Sequence, residues 1–187
     1  MSGPQEIQAQ FLALLQDHRG LLYKVSRAYG HSAADRDDLA QEIIANLWRA
    51  YPRYVPRFRP STWMYRIALN VAISWRRRER TQTQHRAEAG PEVLENIQQL
   101  DAELDGEDVA LLYAAIARFD ELDRALLLLY LDGRSHQETG EVLGMTPTNV
   151  ATRIGRLKER LRESFRAAGH LGASTDPSHK GVQIYEP

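Results

Sequence analysis

Between Ser135 and Phe165 the chain spells out two helices and the turn joining them, and few folds accommodate that pattern. Ser135-His136-Gln137-Glu138 has the form of a capping box, in which serine and glutamate side chains each take the other's backbone N–H. Val142 and Leu143 end this short helix and Gly144-Met145 supply a turn. Thr146 then caps the next helix, and Pro147 takes its first position, where a missing N–H costs nothing. The second helix carries Val150, Ile154, Leu157, Leu161 and Phe165 at three- and four-residue steps, which predicts an inward stripe. Short helix, tight turn and long basic helix together make a helix-turn-helix. Thr148, Asn149, Thr152, Arg153 and Arg156 share the outward side near the start of the second helix. Arginine and asparagine suit bidentate hydrogen bonds to guanine and adenine edges, and threonine bonds bases or phosphates, so these five are candidates for reading an intact duplex. Lys158, Arg160 and Arg162 suit phosphates or solvent. The bland alternative is an αα-hairpin with no nucleic-acid role.

A second stretch, PSTWMYRIALNVAISWRRRER from Pro60 to Arg80, has less ordinary chemistry. Ser61 or Thr62 can cap a helix here, and Trp63, Ile67, Val71 and Trp75 recur every four residues, predicting a stripe that faces a core. The opposite side carries Arg66, Asn70, Ser74 and Arg77. From Arg49 to Arg86 there are ten basic residues against the single acid Glu79, interleaved with Tyr51, Tyr54 and Phe58. Arginines neutralise phosphates and release counterions, and flat rings stack unpaired bases at roughly 1–3 kcal/mol each, so the stretch suits single-stranded nucleic acid. Read blandly, the tryptophans are core and the basic side is a solvated face.

Upstream, Ser32 to Asp35 has the form of a capping box with aspartate in place of Glu or Gln, opening a helix on Leu39, Ile43, Leu47 and Tyr51. Asp35, Asp38 and Glu42 fall at i, i+3 and i+7 with Gln41 beside them, forming an acidic ridge. First-turn acids also serve as caps and dipole complements, which accounts for Asp35 and Asp37 equally well. Glu42 lies too deep in the helix for that. Such a ridge repels nucleic acid and fits a basic protein partner.

Charge organises the rest. Net charge is −1 over 187 residues, yet Arg86 to Arg124 holds eleven acids against three bases and Arg153 to Arg166 holds six bases against two acids. Two basic zones separated by an acidic one favour two small domains over a single large one. The expected fold is all-α: a first helical domain over 1–80, an acidic, flexible linker over 81–106, a second helical domain over 107–168 and a disordered tail over 169–187. One helix is expected over Gln5 to Ala28, ended by Gly30, and a proline-broken loop at Pro52, Pro56 and Pro60. A marginal helix on Leu94, Ile97, Leu100 and Leu104 is expected in the linker. Glu107 to Arg118 reads as a helix, and Asp120 to Asp123 as the start of another that is buried nearly all round.

Absences bound the chemistry. With no cysteine and six scattered histidines there is no thiol nucleophile, Cys-based zinc site, HExxH or P-loop spacing, so neither catalytic residues, nor metal, nor cofactor is expected. The N-terminal residues lack a signal pattern and the longest apolar run, Ala125 to Leu131, is too short to span a bilayer, which predicts a soluble, cytoplasmic protein without membrane insertion.

Three stretches, DRDDLAQEIIANLWRAYPRY, FRPSTWMYRIALNVAISWRRR and RALLLLYLDGRSHQETGEVLGMTPTNVATRIGRLKERLR, together resemble the bacterial sigma factors of the small, two-domain extracytoplasmic-function (ECF) type, in order and spacing. The resemblance implies sigma region 2-like and region 4-like domains that bind core RNA polymerase and direct promoter recognition and strand opening. It implies that Asp35, Asp38, Gln41 and Glu42 dock on the clamp helices of the beta-prime subunit. It assigns the minus-ten element to Tyr54, Phe58, Arg59, Ser61, Trp63, Arg66, Asn70, Ser74 and Arg77, with a flipped base held by the loop before the helix. It assigns the minus-thirty-five element to Thr148, Asn149, Thr152, Arg153 and Arg156, in a motif that also touches the beta flap. The linker would thread toward the RNA exit channel, and an anti-sigma factor commonly wedges between such domains. Two departures stand out. Thr139 and Gly140 occupy positions where the family has an aliphatic residue and alanine, and Gly costs about 1 kcal/mol inside a helix, predicting a softer first helix. The loop is also richer in proline. The rivals are a helix-turn-helix regulator that is not a sigma subunit, a polymerase-binding regulator without promoter specificity, and an enzyme.

Overall fold

The computed structural model describes residues 3–55, 59–79 and 106–167; these form eight α-helices and one 3-10 turn, with no strand among them. The predicted phenylalanine at 58, most of the linker (81–105) and the tail lie outside the described residues. Where one helix was expected over 5–28 there are two, α1 (Pro4–Asp17) and α2 (Arg19–Tyr29), broken at His18 with φ −116° and ψ 20°. Asp17, His18 and Gly20 are all weak helix formers, so the break falls where holding the helix gains least. Phe11 and Leu15 before it, and Leu22, Val25 and Tyr29 after it, are all buried.

The helix α3 (Ala33–Ala50) starts on the expected box: the Asp35 N–H donates to Ser32 Oγ at 3.0 Å and the Ser32 N–H to Asp35 Oδ2 at 2.9 Å. It buries Leu39, Ile43 and Leu47, and gives way to a 3-10 turn, Tyr51–Arg53, at Pro52. The helix α4 (Pro60–Glu79) starts with its proline at the first position, and Arg59 O accepts from the Thr62 N–H at 3.0 Å. Its buried line is Met64, Tyr65, Ala68, Leu69 and Ala72, while Trp63, Ile67, Val71 and Trp75 pack only partly buried at the margin. The stripe expected at the centre therefore lies beside it. In the buried line Ala68 and Ala72 alternate with the larger Met64, Tyr65 and Leu69, and the two indole rings fill the flank.

The second half comprises α5 (Glu107–Ile116), α6 (Glu121–Leu131), α7 (His136–Leu143) and α8 (Pro147–Ala167). Asp120 caps α6 by accepting from the Asp123 N–H at 2.8 Å. Burial of α6 nearly all round has a specific cause. Leu126 and Leu127 join Ile116, Phe119, Val150, Ile154 and Leu157 in one apolar cluster, while Ala125, Leu128 and Leu129 join the cluster of the first half. Polar contacts run along the same seam. The Tyr29 hydroxyl donates to Glu121 O at 2.6 Å, Arg124 Nη1 donates to Ala28 O at 2.8 Å, and Lys24 pairs with Asp132.

In the helix-turn-helix, Gly144 ends α7 in the left-handed conformation at φ 69°, as a residue without a Cβ does most readily. Gly140 proves to be required rather than merely soft: a Cβ there would stand 2.4 Å from Met145 O, so the turn lies directly on the helix. Gly155 is the opposite case, an exposed position in α8 with nothing within 4 Å of where its Cβ would stand. Gly155→Ala should therefore raise stability by about 0.5–1 kcal/mol through helix propensity alone. Urea melts check this as a higher midpoint at unchanged slope, and a lower midpoint would show that propensity does not decide at this site.

Candidate nucleic-acid interface

On α4 the polar side is open as expected: Arg66, Asn70, Ser74 and Arg77 are all exposed, spaced along one side of a helix whose other side is core. Two guanidiniums and an amide thus lie exposed on one side of α4. Arg78, near the end of α4, pairs with Glu42 of α3.

The beginning of α4 is more crowded. Tyr54 and Trp63 pack ring to ring with centroids 4.8 Å apart, and Tyr51 joins them at 6.4 Å from each. Trp63 is thus half core and half surface. Ser61 is buried, and its hydroxyl accepts from Arg134 Nη1 at 2.9 Å. Arg134 also donates to Asp132 and lies over the Tyr65 ring at 5.4 Å; burial, with the Asp132 carboxylate next in size, pushes the Tyr65 hydroxyl pKa well up. Arg59 reaches across to Glu138 of α7 at 3.1 Å. Hydrogen bonds from the Ser135 N–H and hydroxyl hold the Glu138 carboxyl below its ordinary pKa, and Arg59 adds to that. Two of the residues assigned to separated strands are therefore engaged by the second half in this conformation, Arg59 by Glu138 of the helix-turn-helix and Ser61 by Arg134 just before it.

On α3 the ridge is half-buried at Asp35, Asp38, Gln41 and Glu42. Partial burial raises the Asp35 carboxyl pKa, but hydrogen bonds from Ser32 outweigh it and leave the group below its usual range, as a cap should be. Glu42 is occupied by Arg78, so the ridge is acidic chiefly toward its N-terminal end.

On α8, Thr148, Asn149, Thr152 and Arg156 are exposed near the helix start, and Thr146 Oγ1 caps it by accepting from the Asn149 N–H at 3.3 Å. Thr152 turns its hydroxyl back to donate to Thr148 O at 3.0 Å. Arg153 differs from its neighbours. Its Nε donates to Asp123 Oδ1 at 2.5 Å and its Nη2 lies 3.6 Å from Asp120 Oδ2, so its guanidinium is held against α6.

The residues that join the halves, Lys24, Arg124, Asp132 and Arg134, were not singled out by sequence reasoning. One of them left a signal. Arg124 is the only cation in RALLLLYL, where a charge in an apolar run must find buried partners. The other three carry no local pattern because the contacts that join the halves, Lys24 with Asp132 and Ser61 with Arg134, link residues far apart in sequence.

Comparison with known proteins fits this geometry. The family model "Sigma-70 region 2" matches residues 14–82, and "Sigma-70, region 4" matches residues 110–161. The ECF RNA polymerase sigma factor SigX of Bacillus subtilis (strain 168) is 30% identical over 133 residues, covering 68% of this chain and 69% of SigX. The ECF RNA polymerase sigma factor SigE of Mycolicibacterium smegmatis is 28% identical over 169 residues, 87% of this chain, and the chain spans 64% of the length of SigE. A solved structure of CnrH in complex with the cytosolic domain of CnrY is similar at a TM-score of 0.62 and 25% identity, covering 86% of this chain and 90% of that one. Two helical units in the order region 2 then region 4, carried by relatives along most of the chain, place it in one family: the chain belongs to the ECF sigma factors of RNA polymerase.

Proposed function

We propose that the chain binds core RNA polymerase and directs promoter recognition and strand opening with its labour divided between three surfaces. The exposed side of α4 captures the separated minus-ten strand through Arg66, Asn70, Ser74 and Arg77, with the Tyr51, Tyr54 and Trp63 rings available at its N-terminal end for a displaced base. The start of α8 reads the minus-thirty-five duplex in the major groove. Asp35, Asp38 and Gln41 meet the beta-prime clamp helices, and the helix-turn-helix also touches the beta flap. These roles fit domains at 1–80 and 107–168, acting in the cytoplasm as a regulatory subunit without catalytic residues. The likeness to CnrH, solved with the cytosolic domain of CnrY, supports a protein regulator for this chain as well, of the anti-sigma kind.

The observation that carries this reading is the separation of two outward cationic rows, on α4 and α8, from an acidic ridge on α3. It is tested by transcription with purified core polymerase over a library of randomised promoters. The pair Arg66→Ala and Asn70→Ala should lower strand opening, read by permanganate reactivity, by about tenfold or more while polymerase binding is kept, because charged hydrogen bonds to DNA are lost. Asp38→Ala should do the reverse, weakening polymerase binding alone. Equal loss of polymerase affinity in both variants would refute the division.

A further inference from the structure

Asp123 sits in the first turn of α6 with its side chain only 7% exposed, and both carboxylate oxygens are taken by α8. Oδ1 accepts from Arg153 Nε at 2.5 Å and Oδ2 lies 3.5 Å from Arg160 Nη1. The backbone N–H of Asp123 is itself held by the Asp120 cap at 2.8 Å, and the Arg160 guanidinium lies over the Phe119 ring at 4.7 Å. Arg153 and Arg160 are two helical turns apart, one on each side of buried Leu157, so a single buried carboxylate brackets about 10 Å of α8.

We infer that Asp123 is a positioning residue for duplex readout: by holding Arg153 and Arg160 it fixes how far α8 slides and rotates on α6, and it leaves base discrimination to Thr148, Asn149, Thr152 and Arg156. The physical reason is an asymmetry. Turning Arg153 out to a base edge would leave a carboxylate that water hardly reaches with only its longer contact to Arg160, and a poorly compensated buried charge is more costly than an exposed contact is favourable. Arg156, one turn nearer the C-terminus and exposed, has no such obligation among the ion pairs described. The inference rests on α8 being the duplex-facing helix.

Two measurements on the full chain test it. Without DNA, a thermal cycle of Asp123→Asn, Arg153→Gln and the double variant should show the double variant melting within about 2 °C of the worse single one, because each change breaks the same pair. Additive losses would overturn the pairing. With core polymerase and a library of randomised duplexes, Arg153→Gln should keep both the selected base pattern and the dependence of log affinity on log salt. Arg156→Gln should lower that salt slope by about 1 or relax preference at one position. Asp123→Asn should weaken binding about tenfold across all library sequences alike, with partial recovery in Asp123→Glu. A slope lower by about 1, or one relaxed position, in Arg153→Gln would place that guanidinium on DNA and overturn the inference. If the unaltered chain selects no duplex at all, the reading of α8 fails, while the DNA-free cycle still decides whether Asp123 holds Arg153.

Discussion

Arg124→Met should cost the chain about 3–5 kcal/mol of unfolding free energy, the largest loss expected of any single substitution considered for it. Arg124 is 3% exposed and serves as a donor to three backbone carbonyls: Ala28 O at 2.8 Å, Ala117 O at 2.7 Å and Phe119 O at 3.2 Å. Its guanidinium also lies 5.1 Å from the Tyr29 ring centroid, and burial pushes the hydroxyl of that tyrosine well above its usual pKa, so it stays a neutral donor to Glu121 O. Methionine matches the length and fills the space, but it offers no N–H. Each carbonyl left dry costs roughly 1–3 kcal/mol, and filling the volume does not recover that. Arg124→Lys should lose less, since an ammonium still reaches one carbonyl. Urea denaturation followed by circular dichroism measures both, and a loss under about 1 kcal/mol in Arg124→Met would mean that water replaces the guanidinium at this seam.

Gly140→Ala should be destabilising by about 2–3 kcal/mol, and here the sign is the test. Helix propensity alone predicts a gain of about 1 kcal/mol, since alanine is the better helix former. Sterics oppose it. A Cβ 2.4 Å from Met145 O meets backbone, which cannot rotate away as a side chain would. Gly140 O is already engaged by the Met145 N–H at 3.0 Å, so the turn cannot lift without breaking a hydrogen bond. Lifting it would also shift the cap of α8 and the exposed residues that follow. A rise in melting temperature would show that the turn gives way more readily than its geometry suggests.

How much of this was legible in the sequence depends on the range of the forces. The boxes at Ser32 and Ser135, the cap at Asp120 and the proline-led start of α8 are local hydrogen-bond grammar, and all appear where the residues put them. The polar side of α4 was equally legible, because a 3.6-residue period places Arg66, Asn70 and Ser74 together whatever the rest of the chain does. Its core side was not. Trp63 and Trp75 carry far more apolar surface than Ala68 and Ala72, yet the alanines are fully buried and the tryptophans only partly, which only the assembled helices decide. The break at His18 was passed over because the apolar stripe continues through it. The interface of Arg153 with Asp123 was hidden for a different reason: an arginine on the outward side of a recognition helix looks the same in sequence whether it faces a base or a carboxylate thirty residues away.

The position of α6 has one more consequence. Its leucines are shared out, Leu126 and Leu127 to one neighbour and Leu128 and Leu129 to the other, so neither half of the molecule is a finished object by itself. Any assembly that draws the halves apart along a template strips one side of α6 bare, and hydration of those leucines opposes the separation in proportion to the area uncovered. Extension therefore does not come free to this chain: a surface elsewhere must offer shelter to what α6 gives up.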